Sequence, residues 1–570
     1  MNVNIPEVPV NVRNAGERSV RELPTKPAHE ALRTHWLQNE GHLKEQFLAK
    51  RWPRRYYKHP VYTTAAPGEF VWPYAIYLDG VRFTREDTVL GVWVQCLITG
   101  KRWLIMILRK TEYCNCGCRG YCSLRPFWAE LAWSMRSLAR GKCLSFGPDG
   151  SQLSEDRLAF ADEPLGFRAA CIFIKGDWME FSSTLCFPTW TSTAHPCMMC
   201  DATLALAYML LGLSVLELPW ARRLIDWYDA ACQACEIWVV LTDEAYRKVR
   251  ASLFYDNRPK GSRGRALALD LPEVGPGLRA GDRLEPCSEV PDVGEGFDRG
   301  NPGSALFWRI PERPAVHHRL PIFDAALGTG PDSLVVDGLH AGSHGAYKQC
   351  CTEFTWECFE ANCWDAHDSS AEGRLAINAD RLRGDLFAWY GDEHRAGRKH
   401  AEVQALTHHM LGSAGSHDLK LHAAEMNGYL HFCCSLVERF GQKLPRAALW
   451  RKALQSFAAM DIMTHENPEV FDDDQCQTFV TLAVGGLGAL QDLGVEPKPK
   501  CHAIAHMAGD VYEKGSPALW ATWVDEGLNK MLKDVGSGTN RNGWCERTLF
   551  NANFVLDRLA DRKAKKARAR

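Results

Sequence analysis

The segment "IKGDWMEFSSTLCFPTWTSTAHPCMMCD" brings two kinds of chemistry close together in the chain. An acid, Asp177, follows an apolar run, and two thiols, Cys197 and Cys200, follow at C-x2-C spacing. Two thiolates so spaced in a turn can grip one face of a tetrahedral zinc ion. Two more ligands are then needed. One source is the dense run "CNCGCRGYC", with Cys114, Cys116, Cys118 and Cys122; another is the acid-x2-His pair Asp337 and His340 in "VVDGLH", at the end of another apolar strand. A structural zinc among these residues is one expectation, and buried inert thiols are the alternative. His502 and His506, at i and i+4, share one helix face and read either as ligands or as a core pair.

Further acids stand where apolar runs stop. Asp79 in "YAIYLDGVRF" is either the first half of an Asp-Gly hairpin turn or a metal ligand at a strand end. Asp525 and Glu526 open a segment with helical spacing, where the helix dipole also favours acids. "GSRGRA" is a poor phosphate-loop match and reads as a flexible turn.

Several elements must position these groups. Three apolar segments, "VWPYAIYLD", "TVLGVWVQCLI" and "RWLIMILRK", have the length and composition of neighbouring strands. The helical spacing of "LRPFWAELAWSMRSLARG" follows, then a fourth strand in "FRAACIFIKGDW". Residues 202–216 form the longest apolar run; it is short for a membrane span and reads as a buried helix. Helical text continues beyond it, and a Gly/Pro-rich loop region covers 258–304. Past "SLVVDGLH" the chain is again mostly helical to Val495. The divisions expected are a polar, partly basic segment 1–68, a first part of the core with the Cys-rich element 69–200, a mostly helical insertion 201–500, a C-terminal part of the core 501–556 carrying the third acid, and a basic tail 557–570. No internal repeat is evident.

Composition narrows the class. A chain of 570 residues with 46% hydrophobic and 24% charged residues is globular rather than disordered, and its length suits about two to four domains. A net charge of −2 excludes a uniformly basic nucleic-acid coat. Local basic patches remain: "AKRWPRRYYKHP" offers Lys50, Arg51, Arg54, Arg55 and Lys58 interleaved with aromatics, suited to phosphates and bases or to a solvated linker. The tail "DRLADRKAKKARAR" suits nuclear import or a nucleic-acid contact. The 20 tryptophans point to thick aromatic cores. No apolar leader opens the sequence, and 22 cysteines spread over this length make no disulfide framework. A reducing, intracellular compartment with no membrane span is expected.

Taken together, the motifs resemble the RNase H-like core of DDE transposases, and more closely the CACTA (En/Spm) type and its relatives in eukaryotes. The resemblance is carried by "YLDGVRFTREDTVLGVWVQCLITGKRWLIMIL", "GDWMEFSSTLCFPTWTSTAHPCMMC", "DGLH", and "WVDEGLNKMLK" after "KCHAIAH". It spans about residues 74–535. It implies an α/β fold, α+β overall, in which an RNase H-like mixed sheet is interrupted by a large, mostly helical insertion. It implies Asp79, Asp177 and Glu526 as catalytic acids holding Mg2+ or Mn2+, with Cys197, Cys200, Asp337 and His340 as the insertion-linked signature. DNA as partner, a homo-oligomer and a nuclear location also follow from it. The physical logic agrees. Phosphoryl transfer on DNA needs two divalent ions about 3.5–4 Å apart, and hard Mg2+ requires carboxylates. Nothing ahead of Tyr74 resembles a C2H2 or BED zinc finger, so the second expectation is a catalytically inactive descendant that binds nucleic acid or protein.

Overall fold

The β-branched and aromatic runs become the centre of the molecule. The computed structural model describes residues 2–7, 19–85, 87–113, 121–185, 187, 197–200, 285–286, 308–309, 320–496, 498–539 and 543–568. Four strands form one sheet: β1 (Val71–Arg82), β2 (Thr88–Cys96), β3 (Arg102–Arg109) and β4 (Arg168–Lys175). Each is buried almost end to end, which is why it reads as a continuous apolar run instead of an alternating one. The order is β3-β2-β1-β4. The first three strands are antiparallel neighbours, while β4 lies parallel to β1.

A parallel return needs a crossover. After α1 (Ala28–Leu48) and the three antiparallel strands, that crossover is α2 (Tyr121–Arg140), which starts ahead of the expected Leu124 and packs on both β4 and α1. Trp36 of α1 closes over Trp72, Phe70 and Phe167 with ring centroids 5.1–6.3 Å apart, the aromatic core expected from composition. On the outer side of β3, Lys26 N donates to Ile105 O at 2.8 Å, and the Asn553 side chain bonds both backbone groups of Leu104.

Two expectations about turns are corrected here. Strand β1 continues through Asp79 and Gly80 to Arg82, with Asp79 in register with Gly91; the chain turns back toward β2 only after Arg82. Asp-Gly is therefore not the turn. "SLVVDGLH" is not a full strand either: only Leu334 bridges to Ile174. Asp337 then accepts hydrogen bonds from the amides of Leu339 and His340, the first two residues of a π-helical turn, Leu339–Ala346, at which the extended run ends.

Most of the chain from Tyr347 onward is helical: α4 (Tyr347–Glu360), α5 (Ala371–Arg395), α6 (Ala423–Phe440), α7 (Ala447–Glu466) and α8 (Asp473–Asp492) precede α9 (Pro499–Lys514). Asp472 and Gln475 form the capping box that starts α8. Gly486 on α8 lets it lie close to α7, because a Cβ there would come within 2.8 Å of the Phe457 ring. Chain 202–284 and most of the Gly/Pro-rich region lie outside the described residues. Among the described residues, no helix is long and apolar enough to cross a membrane.

The last elements return to the sheet. Helix α10 (Trp523–Gly538) packs on β1, and α11 (Trp544–Arg568) on β3. Lys514 on α9 donates to Leu334 O at 2.6 Å and pairs with Asp510 at 2.9 Å, tying the helical part to the edge beyond β4.

The junction at Gly176 has no spare room. A Cβ there would lie 2.8 Å from the carbonyl oxygen of Leu78 and 3.0 Å from the Phe181 ring. Gly176→Ala is expected to cost about 1–3 kcal/mol, read from the urea midpoint; an unchanged midpoint would show that β1 and the segment from Asp177 to Phe181 can move apart freely.

Candidate functional site

Strand register brings the first two acids together. Tyr77 of β1 pairs with Lys175 of β4. Two residues further along each chain come Asp79 and Asp177, at the same end of adjacent parallel strands. Asp177 then caps α3 (Trp178–Thr184), accepting from the Glu180 amide at 2.5 Å. The same turn places Glu180, which is buried, beside Gly80 and Lys110, with Lys110 Nζ 3.2 Å from its carboxylate.

The third acid arrives on α10, and the structure separates the adjacent pair. Asp525 is fully buried and bonded to Lys175 Nζ at 2.5 Å and to the Arg102 guanidinium. It is committed to holding the helix down. Glu526 faces the other acids, with an oxygen 3.9 Å from His340 Nε2. One turn on, Asn529 donates to Asp79 Oδ2 at 2.6 Å and to the Tyr77 hydroxyl at 3.0 Å; that hydroxyl in turn donates to Asp79 Oδ2 at 2.7 Å.

Electrostatics reflect this crowding. Burial, then the charge of Asp177 and those of Glu180 and Glu526, push Asp79 up to about 7, against the pull of the Tyr77 bond. Glu526 is raised too, first by burial, with Asp337 and Asp177 adding to it and His340 opposing. Burial alone would depress His340, but its bond to Asp337 and the nearby Asp177 and Glu526 lift it to about 9. It is a cation at neutral pH. Lys500 also lies within the electrostatic reach of Asp177. The site thus gathers five acids (Asp79, Asp177, Glu180, Asp337, Glu526) against three cations (Lys110, His340, Lys500).

Asp337 and His340 therefore do not complete a site for the two thiols, as had been one expectation. Asp337 is held by the amide and hydroxyl of Thr522, at 3.0 and 2.7 Å, and bonds His340 Nδ1. The thiols instead meet α9. Cys197 Sγ lies 3.3 Å from His506 Nε2, Cys200 Sγ 3.4 Å from His502 Nε2, and the two Nε2 atoms are 3.0 Å apart. The four donor atoms lie within 4.8 Å of one another, and all four residues are buried. Among the described residues they are the one group of three or more His, Cys and acids found to converge in this way. Burial would raise the Cys197 thiol, yet Cys200, His506 and His502 hold it well below its ordinary value. Cys114, Cys116 and Cys118 lie outside the described residues, as does the side chain of Cys122.

The basic-aromatic segment is largely packed. Trp52 and Tyr56 are buried. Arg55 bonds Asp332, Ser333 Oγ and the carbonyl of Ile172 at 2.7–2.9 Å, a structural role in place of the expected DNA contact. Arg54 and Lys58 make exposed ion pairs with Asp473 and Glu513; Arg51 is exposed and Lys50 half-buried. Sequence reasoning missed Glu180 and Asn529. Their only signal was helical spacing, three residues after Asp177 and after Glu526.

Two outcomes test this geometry. Since folding raises Asp79, the folded state binds its proton more tightly than the unfolded chain, so stability is lost as pH rises from about 4 to about 7. Asp79→Asn is expected to flatten that slope and to stabilise the protein by about 1–3 kcal/mol at high pH, measured by urea unfolding across this range; an unaltered slope rejects the assignment. Asp525→Asn should cost about 3–5 kcal/mol by stranding Lys175, whereas Glu526→Gln should stay within about 1 kcal/mol. Equal losses for the two variants would contradict their separation.

Compared with known proteins, the chain matches no family model, no curated protein and no solved structure.

Proposed function

We propose that this chain is a transposase-derived phosphoryl transferase or nuclease acting on DNA, with an RNase H-like sheet. The observation that carries the reading is the register of β1 with β4, which sets Asp79 beside Asp177, together with Glu526 on the helix packed against β1. The strand order, with three antiparallel strands and a fourth parallel to the first, supports the fold assignment.

The donor set suits the hard ions that the resemblance implies, Mg2+ or Mn2+, because all three carboxylates are oxygen ligands. The excess of acids is what such cations would neutralise; Asp79 is raised first by burial and then by the charges of its acid neighbours. Asp79, Asp177 and Glu526 would hold the metal; when bound, it would activate the attacking hydroxyl and stabilise the leaving oxygen. The chain's own groups do the rest. Tyr77 and Asn529 fix the Asp79 carboxylate, and the Asp177 cap fixes its own rotamer. His340, protonated and anchored by Asp337, presents a positive charge beside Glu526, where it can meet a phosphate oxygen. Lys110 and Lys500 add positive charge around the acids and favour approach of the DNA backbone.

The pairing of Glu180 with Lys110 and of Glu526 with His340, which offsets part of the acid charge without a metal, favours a second reading, a non-catalytic descendant that binds DNA or a protein partner through the same surface. One assay separates them. With Mg2+ or Mn2+ and linear duplex DNA, the first reading expects strand cleavage or joining that falls about 10²-fold or more in Asp79→Asn, Asp177→Asn and Glu526→Gln. DNA binding without any metal-dependent cleavage would select the second.

A further inference from the structure

We propose that Cys197, Cys200, His502 and His506 bind a structural zinc ion that clamps the neck of the long insertion. Four soft or borderline donors converge from two elements remote in the chain: the Cys197–His506 and Cys200–His502 contacts join residues 309 and 302 positions apart. In a tetrahedral zinc site with Zn–S about 2.3 Å and Zn–N about 2.0–2.1 Å, donor–donor edges run to about 3.3–3.8 Å. Three of the six donor–donor distances here, 3.0, 3.3 and 3.4 Å, are close to those edges, and all six stay within 4.8 Å. Without a metal these contacts are hydrogen bonds that need thiol and imidazole protons between the donor atoms; a zinc ion at their centre would take the place of those protons.

Local structure agrees with a metal knuckle. The Met199 amide donates to Cys197 Sγ at 3.2 Å, the kind of bond that stabilises a thiolate. The i, i+4 spacing on α9 sets both imidazoles on one face. All four residues are buried, so four protein ligands would close the coordination sphere, as in structural rather than catalytic zinc sites. Zinc is favoured over harder ions because the donors are sulfur and nitrogen alone.

The placement gives the clamp a purpose. Cys197 follows Asp177 by twenty residues (197 − 177), and Glu526 follows His506 by twenty (526 − 506). The ion would close the loop of chain between these arms and hold the arm from Asp177 against the arm leading to Glu526. The metal site stands without the DNA reading; its effect on the acids rests on that reading, so the two are tested apart.

The full chain, purified without chelator, is assayed for metal by mass spectrometry, then stripped and loaded with Co2+. The expected result is about one zinc per chain, and a cobalt spectrum with intense tetrahedral d–d bands and a thiolate charge-transfer band. Cys200→Ser is expected to lower metal content at least about tenfold. Should that variant fail to fold, Cys200→His keeps four donors and should retain metal with a weakened thiolate band. Zinc well below one equivalent together with a six-coordinate cobalt spectrum, or a spectrum indifferent to substitution at Cys200, overturns the proposal. Zinc bound as expected in a protein that never cleaves DNA upholds the clamp and removes only the catalytic reading.

Discussion

The buried contact between Lys175 and Asp525 is the constraint on which the site depends. Lys175 ends β4, and Asp525 opens the helix that covers β1. Neither charge tolerates isolation in this interior. Burial and the Arg102 guanidinium both press Lys175 toward losing its proton, while Asp525 opposes them. Joining these groups with Arg102 on β3 stitches α10 to strands on both sides of the sheet. Once Asp525 is pinned inward, helical geometry turns Glu526 and Asn529 toward Asp79. The orientation of the third acid is thus a by-product of where its neighbour is buried.

The acid cluster is organised in the opposite sense. Its carboxylates repel each other in a desolvated setting, and several hydrogen bonds to fixed donors keep them there: Tyr77 and Asn529 at Asp79, the Glu180 amide at Asp177, Thr522 at Asp337. A surface with this balance is preorganised for positive charge. His340 is the local answer to part of it, a ring kept protonated by the pair of acids on either side.

Much of the sheet was legible because its strands are buried on both faces and so appear as unbroken apolar text bounded by polar turns. The crossover helix was legible from its period. The site was only half legible. Asp-Gly is an ambiguous signal, since the same dipeptide serves a turn and a strand that runs past its acid; only pairing with β2 and β4 decides. Asp525 and Glu526 could not be ranked, because adjacent residues on a helix face different ways and the sequence does not say which way is inward. The imidazoles of α9 stood far from the thiols in sequence, and no spacing rule links residues some 300 positions apart; the Cys-rich run and the Asp337–His340 pair stood as open as the imidazoles, and only the fold brings His502 and His506 to the thiols. Arg55 shows the same limit: a cation among aromatics reads as a surface, yet here its guanidinium is a brace between β4 and the 328–333 turn.

The covered edge of β3 has a consequence for assembly. An open edge strand offers its amides and carbonyls to any extended segment that comes near, and many proteins associate by sharing a sheet in this way. At the middle of β3, Lys26 and Asn553 already occupy those groups. A second copy of the chain, or an extended peptide, finds no backbone to join there. Association on that side has to be built from side chains on helices, with the specificity that shape and charge give, and without the indiscriminate adhesion of strand to strand.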